Sequence, residues 1–180
     1  MRSFYLFTLL MFFVFNSCSI KAQNIAPEIE WQKTLGGSID DQARSIQQTT
    51  DGGYIIAGGT RSNNGDVTGL QGNNDFWLVK LDVIGNIMWQ KTVGGSGDDY
   101  AYSIQQTTDG GYIVAGYSGS NDGDVTGNQG GYDFWVVKLD ALGNLIWQKT
   151  LGGSGFDELS SIQQTTDGGY IVAGTTHSND

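Results

Sequence analysis

Acidic residues stand side by side at Asp40–Asp41, Asp98–Asp99 and Asp157–Glu158. A carboxylate pair hydrolyses a glycoside only when it flanks one bond, and neighbours along an extended chain point apart. Such pairs also recur along the chain, whereas a catalytic centre needs one asymmetric constellation. Their expected role is to cap the amides of nearby loops. SNNGDVTG at 62–69 and SNDGDVTG at 120–127 offer a second chemistry. Asn121, Asp122 and Asp124 cluster oxygens around Gly123, as a calcium loop does, and Asp133 supplies a further donor. The bidentate acid of an EF-hand is missing, and Asn64 replaces Asp122 in the first copy. Calcium is the one cofactor this pattern would take; metal-free Asx-turns are the alternative. His177 is the sole histidine, so no Ser-His-Asp set can be assembled and no catalytic residue is expected.

A third group is aromatic. Tyr100, Tyr102, Tyr117 and Tyr132 all fall between 100 and 132. Tyrosine joins rigid contact area to a polar tip, so the four are the candidate ligand-binding residues. Packing between units is the competing role. Trp31, Trp77, Trp89, Trp135 and Trp147 instead follow a regular spacing and read as core rather than as sugar platforms.

That spacing exposes the organisation. Trp31, Trp89 and Trp147 are 58 residues apart, each opening WQKT[LV]GGS. Laying 31–88 on 89–146 gives 41 identities in 58 positions. The expected domains are therefore repeats at 31–88 and 89–146 and a shorter third at 147–180, about 2.6 units, after a linker at 23–30. In the second unit, strands are expected at 103–108, 112–117, 133–140 and 145–150, separated by DGG and GN turns and by a long loop at 118–132. No segment has a helical period. The fold class expected is all-β: a β-propeller-like array of four-stranded antiparallel blades, with an open β-solenoid as the alternative. Because antiparallel strands alternate in direction, both long loops of a unit share one end and both tight turns the other.

The differences between copies fall largely on the loop end: Gln42, Tyr100 and Glu158 are equivalent, as are Arg44, Tyr102 and Ser160, and Gly59, Tyr117 and Thr175. A constant scaffold with varied loops suits recognition, although exposed loops also drift. VKLDALGNLIWQKT at 137–150 resembles the strand-turn-strand of quinoprotein-type propellers and bulb-type lectin repeats. TTDGGYIV at 107–114 resembles the Asp-box hairpin, with Thr107, Asp109 and Gly111 at its key positions. The whole unit is similar to the β-propeller repeats of secreted bacterial surface proteins, often exported by the type IX route. That resemblance implies adhesion or carbohydrate binding at the cell surface. The rival readings are a propeller enzyme, a glycosidase or quinoprotein-like dehydrogenase, and a structural spacer.

Composition and leader agree with export. Residues 4–15 form an unbroken apolar or hydroxyl run behind Arg2, shorter than the roughly 20 residues a bilayer requires. A signal peptide over 1–22, cleaved after Ala22, is expected, with lipid attachment at Cys18 as the alternative. Only the lipidated form would touch a membrane. Nineteen acids against nine bases, a formal charge of −10, exclude a phosphate-binding nucleic-acid partner. Cys18 is the only cysteine, which excludes a disulfide framework. The expected partners are a surface glycan or protein, and further blades of the same protein or of another copy, since closure takes about 4–8 blades.

Overall fold

The computed structural model describes residues 26–180. The leader, Cys18 and the cleavage site after Ala22 lie outside the described residues. Residues 26–30 carry no strand, and Trp31–Asp180 form one compact body.

Two residue patterns set the hairpins. In the first copy of TTDGGY, Asp51 Oδ1 accepts the Thr49 hydroxyl at 2.5 Å and the Gly53 N–H at 3.0 Å. Gly52 then turns the chain at φ 82°, a conformation that costs a residue without Cβ little. At the second turn, Asp82 Oδ1 accepts the N–H groups of Ile84 and Asn86. Each carboxylate thus replaces backbone partners that a tight turn leaves unmet.

These turns fold the first unit into β1 (Asp41–Gln48), β2 (Tyr54–Thr60), β3 (Asp75–Leu81) and β4 (Ile87–Val93). The second repeats it as β5 (Asp99–Gln106), β6 (Tyr112–Ser118), β7 (Asp133–Leu139) and β8 (Leu145–Leu151). β9 (Asp157–Gln164) and β10 (Tyr170–Thr176) follow. The chain forms two four-stranded antiparallel meanders, β1-β2-β3-β4 and β5-β6-β7-β8, and the pair β9-β10. There is no helix among the described residues. The all-β, four-stranded antiparallel expectation therefore holds.

The sheets stack face to face. β5 lies against β1 and β2, and β9 against β5 and β6. Phe76 and Leu78 of β3 share one core with Val114 of β6 and Trp135 of β7. Ile113 and Ala115 of β6 share another with Leu159 and Ile162 of β9. Alternate residues of each middle strand thus enter the cores on opposite faces, which explains why the central residues of these strands are apolar on both faces.

The recurring SIQQTT segment stitches these layers together. The Gln106 N–H donates to Gln47 Oε1 at 2.6 Å, and the Gln164 N–H to Gln105 Oε1 at 2.8 Å. The second glutamine of the pair faces the other way: Gln106 Oε1 accepts the Thr50 N–H at 2.9 Å, and Gln164 Oε1 the Thr108 N–H at 3.0 Å. The first strands of adjoining sheets are hydrogen-bonded side by side through side chains.

Candidate functional site

The four tyrosines converge. Tyr100 and Tyr117 are direct cross-strand partners on β5 and β6, with ring centroids 5.4 Å apart. Tyr102 occupies a β-bulge, because the register shifts between Ala101 and Ser103. The bulge returns its ring to the side of Tyr117, at 5.3 Å, and bulges commonly redirect a side chain in this way. The chain approaches itself so closely here that a Cβ on Gly116 would lie 1.8 Å from the Tyr100 carbonyl oxygen. Tyr132, from the long loop, meets Tyr117 edge-on at 5.2 Å, and Phe156 of the next unit extends the row at 5.6 Å.

The tyrosines are half-buried and Phe156 is exposed. Their hydroxyls are not isolated: Tyr102 and Tyr117 share a hydrogen bond at 3.2 Å. Burial, then that bond, pushes the Tyr117 phenol well above its ordinary range. Burial also raises Tyr132. Both are neutral hydroxyls at physiological pH. Two arginines of the first unit border the row. The Arg44 guanidinium lies 4.7 Å over the Tyr102 ring, a cation–π contact, and Arg61 Nη2 donates to Tyr100 Oη at 3.4 Å. The site therefore spans three consecutive units.

The long loops that frame this surface are tied down. Ser120 Oγ and the Gly95 N–H both donate to Asp99 Oδ2, at 2.9 and 2.8 Å, and Ser118 Oγ donates to Asp99 Oδ1. Asp41 and Asp157 repeat this clamp in the flanking units. One acid of each adjacent pair is thus committed to loop amides and hydroxyls. Each of the four residues of the calcium pattern accepts hydrogen bonds within the loops. Asn121 Oδ1 accepts the Gly127 N–H, Asp122 Oδ1 the Ser96 N–H, Asp124 Oδ2 the Gly94 N–H and the Gln71 amide, and Asp133 Oδ2 the Gln129 N–H. No group of three or more His, Cys, Asp or Glu side chains among the described residues is arranged to hold a metal ion. His177 Nδ1 lies 3.1 Å from the Phe156 carbonyl, and the His177 backbone N–H donates to Asp157 Oδ1 at 3.2 Å.

The tryptophans divide into two kinds. Trp77 and Trp135 are buried, and each indole N–H donates to the glutamine of a WQKT segment, Gln90 at 3.0 Å and Gln148 at 2.8 Å. Trp31, Trp89 and Trp147 pack edge-on against Tyr54, Tyr112 and Tyr170. Trp31 and Trp147 are more than a third exposed. For these two the expected core role is corrected: each is partly exposed, with one face edge-on to a tyrosine.

No family model matches the chain. Regulatory protein FlaEY of Caulobacter vibrioides is 26% identical over 166 residues, covering 83% of this chain and 17% of that protein. The chain spans about a sixth of the length of this relative.

Sequence reasoning missed the roles of five residues, three at the aromatic row and two at the tight turns. Phe156 stands where Asp98 stands one unit earlier, a substitution visible only when the copies are aligned. Arg44 and Arg61 differ between copies, but their contact with tyrosines crosses from one unit to the next. Lys80 and Lys138 are buried and ion-paired to the turn acids Asp51 and Asp109, at 2.9 and 3.0 Å.

Proposed function

We propose that this chain is part of an exported, non-catalytic β-propeller repeat protein. Its meanders serve as blades, and it binds a cell-surface carbohydrate through the aromatic row at its loop end. The observation that carries the binding reading is the continuous contact series Tyr102–Tyr117–Tyr132–Phe156, half-exposed and bordered by Arg44 and Arg61. Such rings stack on the apolar faces of sugars while neutral hydroxyls and guanidinium groups meet sugar hydroxyls. The loop clamps support it by holding the row in one geometry before a ligand arrives, which limits the ordering cost of binding. The face-to-face stacking of meanders through their first strands supports the blade assignment. The leader pattern and the cysteine-free sequence after residue 18 support export.

A glycan array probed with wild type, Tyr102→Ala and Tyr132→Ala tests this function. Both variants are expected to lose at least tenfold in affinity for any glycan that wild type retains, with unchanged far-ultraviolet circular dichroism. Equal retention by wild type and both variants would show that the row is packing between units and nothing more.

A further inference from the structure

At position 64 the loop copies differ by one side-chain amide: Asn64 in the first unit, Asp122 and Asp180 at the equivalent places in the next two. All three side chains do the same work. Oδ1 of Asn64 accepts the Ser38 N–H at 2.9 Å, that of Asp122 the Ser96 N–H at 2.7 Å and that of Asp180 the Ser154 N–H at 3.1 Å. Asn64 Nδ2 also donates to Ser38 Oγ at 2.9 Å. Where the residue is an acid, the serine hydroxyl donates instead. The backbone bond and then the side-chain bond from Ser96 hold Asp122 below the ordinary carboxylate range, and Ser154 does the same for Asp180. A carboxylate is therefore well received at this place in the loop.

Asn64 is followed by Gly65, the only Asn-Gly step in the sequence. In such a step the amide nitrogen of the glycine reaches the side-chain carbonyl carbon of the asparagine, because no Cβ obstructs the approach. The surroundings leave that route open. Asn64 and Gly65 are exposed to water. They lie in a tight turn closed by the Val67 N–H on the Asn64 carbonyl at 3.2 Å, with Gly65 at φ 67°. The Gly65 N–H forms no hydrogen bond among the described residues that would hold the nucleophile away.

We infer that Asn64 is a site of spontaneous deamidation, and that the fold accepts the resulting aspartate because two of its loops already carry one there. The step needs water and nothing else. The Gly65 nitrogen bonds to Asn64 Cγ and gives up its proton, the Cγ–Nδ2 bond breaks, and the proton leaves with Nδ2 as ammonia. Water then opens the cyclic imide. Attack at Cγ breaks the new bond, restores the Gly65 N–H and leaves aspartate; attack at the main-chain carbonyl leaves the isoaspartyl isomer, which lengthens the main chain. Nothing is oxidised or reduced. The product adds a negative charge to the first loop and gives it the acid that the second and third loops have. The inference is independent of what the tyrosine row binds.

Incubation of the full chain at mildly alkaline pH, followed by peptide mapping with mass spectrometry, tests this. Conversion at Asn64, both isomers counted, is expected to run about tenfold faster or more than at any other asparagine, since glycine follows only there. The protein should shift to a more acidic band on isoelectric focusing, and Asn64→Gln should stop that shift. Asn64→Asp, the product made directly, should melt no lower than wild type. A synthetic peptide of residues 60–69 reports the same chemistry free of the fold. Conversion of the peptide but not of the protein would overturn the inference, because the folded turn would then block the attack. So would conversion at several asparagines at similar rates, or an Asn64→Asp variant that melts below wild type.

Discussion

At the residue scale, burial and hydrogen bonding pull the acids of this chain in opposite directions. Asp51 and Asp109, bonded to a threonine hydroxyl and to a lysine ammonium, are held at about 2 against an ordinary 3.8. The folded state therefore binds fewer protons than the unfolded chain, and their stabilisation, present above pH 4, is lost as pH falls toward 2. Burial, reinforced by Asp99 and Asp124, lifts Asp75 to about 6, and its Oδ1 has no hydrogen-bond partner among the described residues. That sign is reversed: the folded state keeps this proton longer, so its contribution is full below pH 4 and erodes as pH rises to 6. Melting temperature measured from pH 2 to 8 should accordingly peak near pH 4–5, and Asp75→Asn should flatten the decline between pH 4 and 6. A monotonic rise through that window in wild type would contradict the assignment. The lysine pairs are asymmetric in another way. The Lys138 side chain is 4% exposed and that of Asp109 60%. Asp109→Ala strands a buried ammonium and should cost about 3 kcal/mol, whereas Lys138→Met releases a carboxylate that water can solvate and should cost about 1 kcal/mol or less. Paired urea titrations check the order; the reverse order would refute it.

At the scale of the element, the first strand of each unit is where sequence and structure part company. The second, third and fourth strands were legible, because the DGG and GN turns and the run of aromatic and β-branched residues mark their ends. β7 and β8 start where expected, at Asp133 and Leu145. The first was expected from Ser103, yet β5 begins at Asp99. The bulge at Tyr102 breaks the two-residue period, so the residues before it read as loop. The tyrosines were legible as candidates because they differ between copies, but their convergence was not, since it depends on that bulge. Contacts that cross units, such as Arg44 on Tyr102 and Tyr132 with Phe156, leave no trace in local pattern. Lys80 and Lys138 were missed because a lysine in a strand ordinarily faces water. The bulge also has a mechanical requirement. With the Tyr100 carbonyl 1.8 Å from where a Cβ would sit, Gly116→Ala must displace β5 from β6. The variant should lose more than about 3 kcal/mol, and any population that still folds should lose ligand binding at the tyrosines. Near-wild-type stability of Gly116→Ala would show that the close approach is not required.

At the scale of the molecule, stability and the proposed binding surface share the seams between sheets. The aromatic row draws on three consecutive units, so it exists only while the layers remain stacked. The seam between the first two sheets centres on Phe76 and Trp135, both fully buried and 4.5 Å apart. Truncating a buried tryptophan removes transfer free energy and leaves a cavity, about 3–5 kcal/mol in all. Here it also leaves the Gln148 carbonyl without its indole donor. Domains of this size are typically stable by only about 5–15 kcal/mol. Trp135→Ala should therefore lower the urea midpoint sharply, and ligand affinity at the tyrosines should fall with it although no tyrosine has changed. Ile171→Ala, at an exposed position of β10, should shift the midpoint by no more than about 0.5 kcal/mol. Because glutamine side chains join the first strands of adjoining sheets, the transition should stay single, with the slope unchanged. Two separated transitions in Trp135→Ala would instead mean that each sheet folds on its own and that the seam is a contact between finished layers.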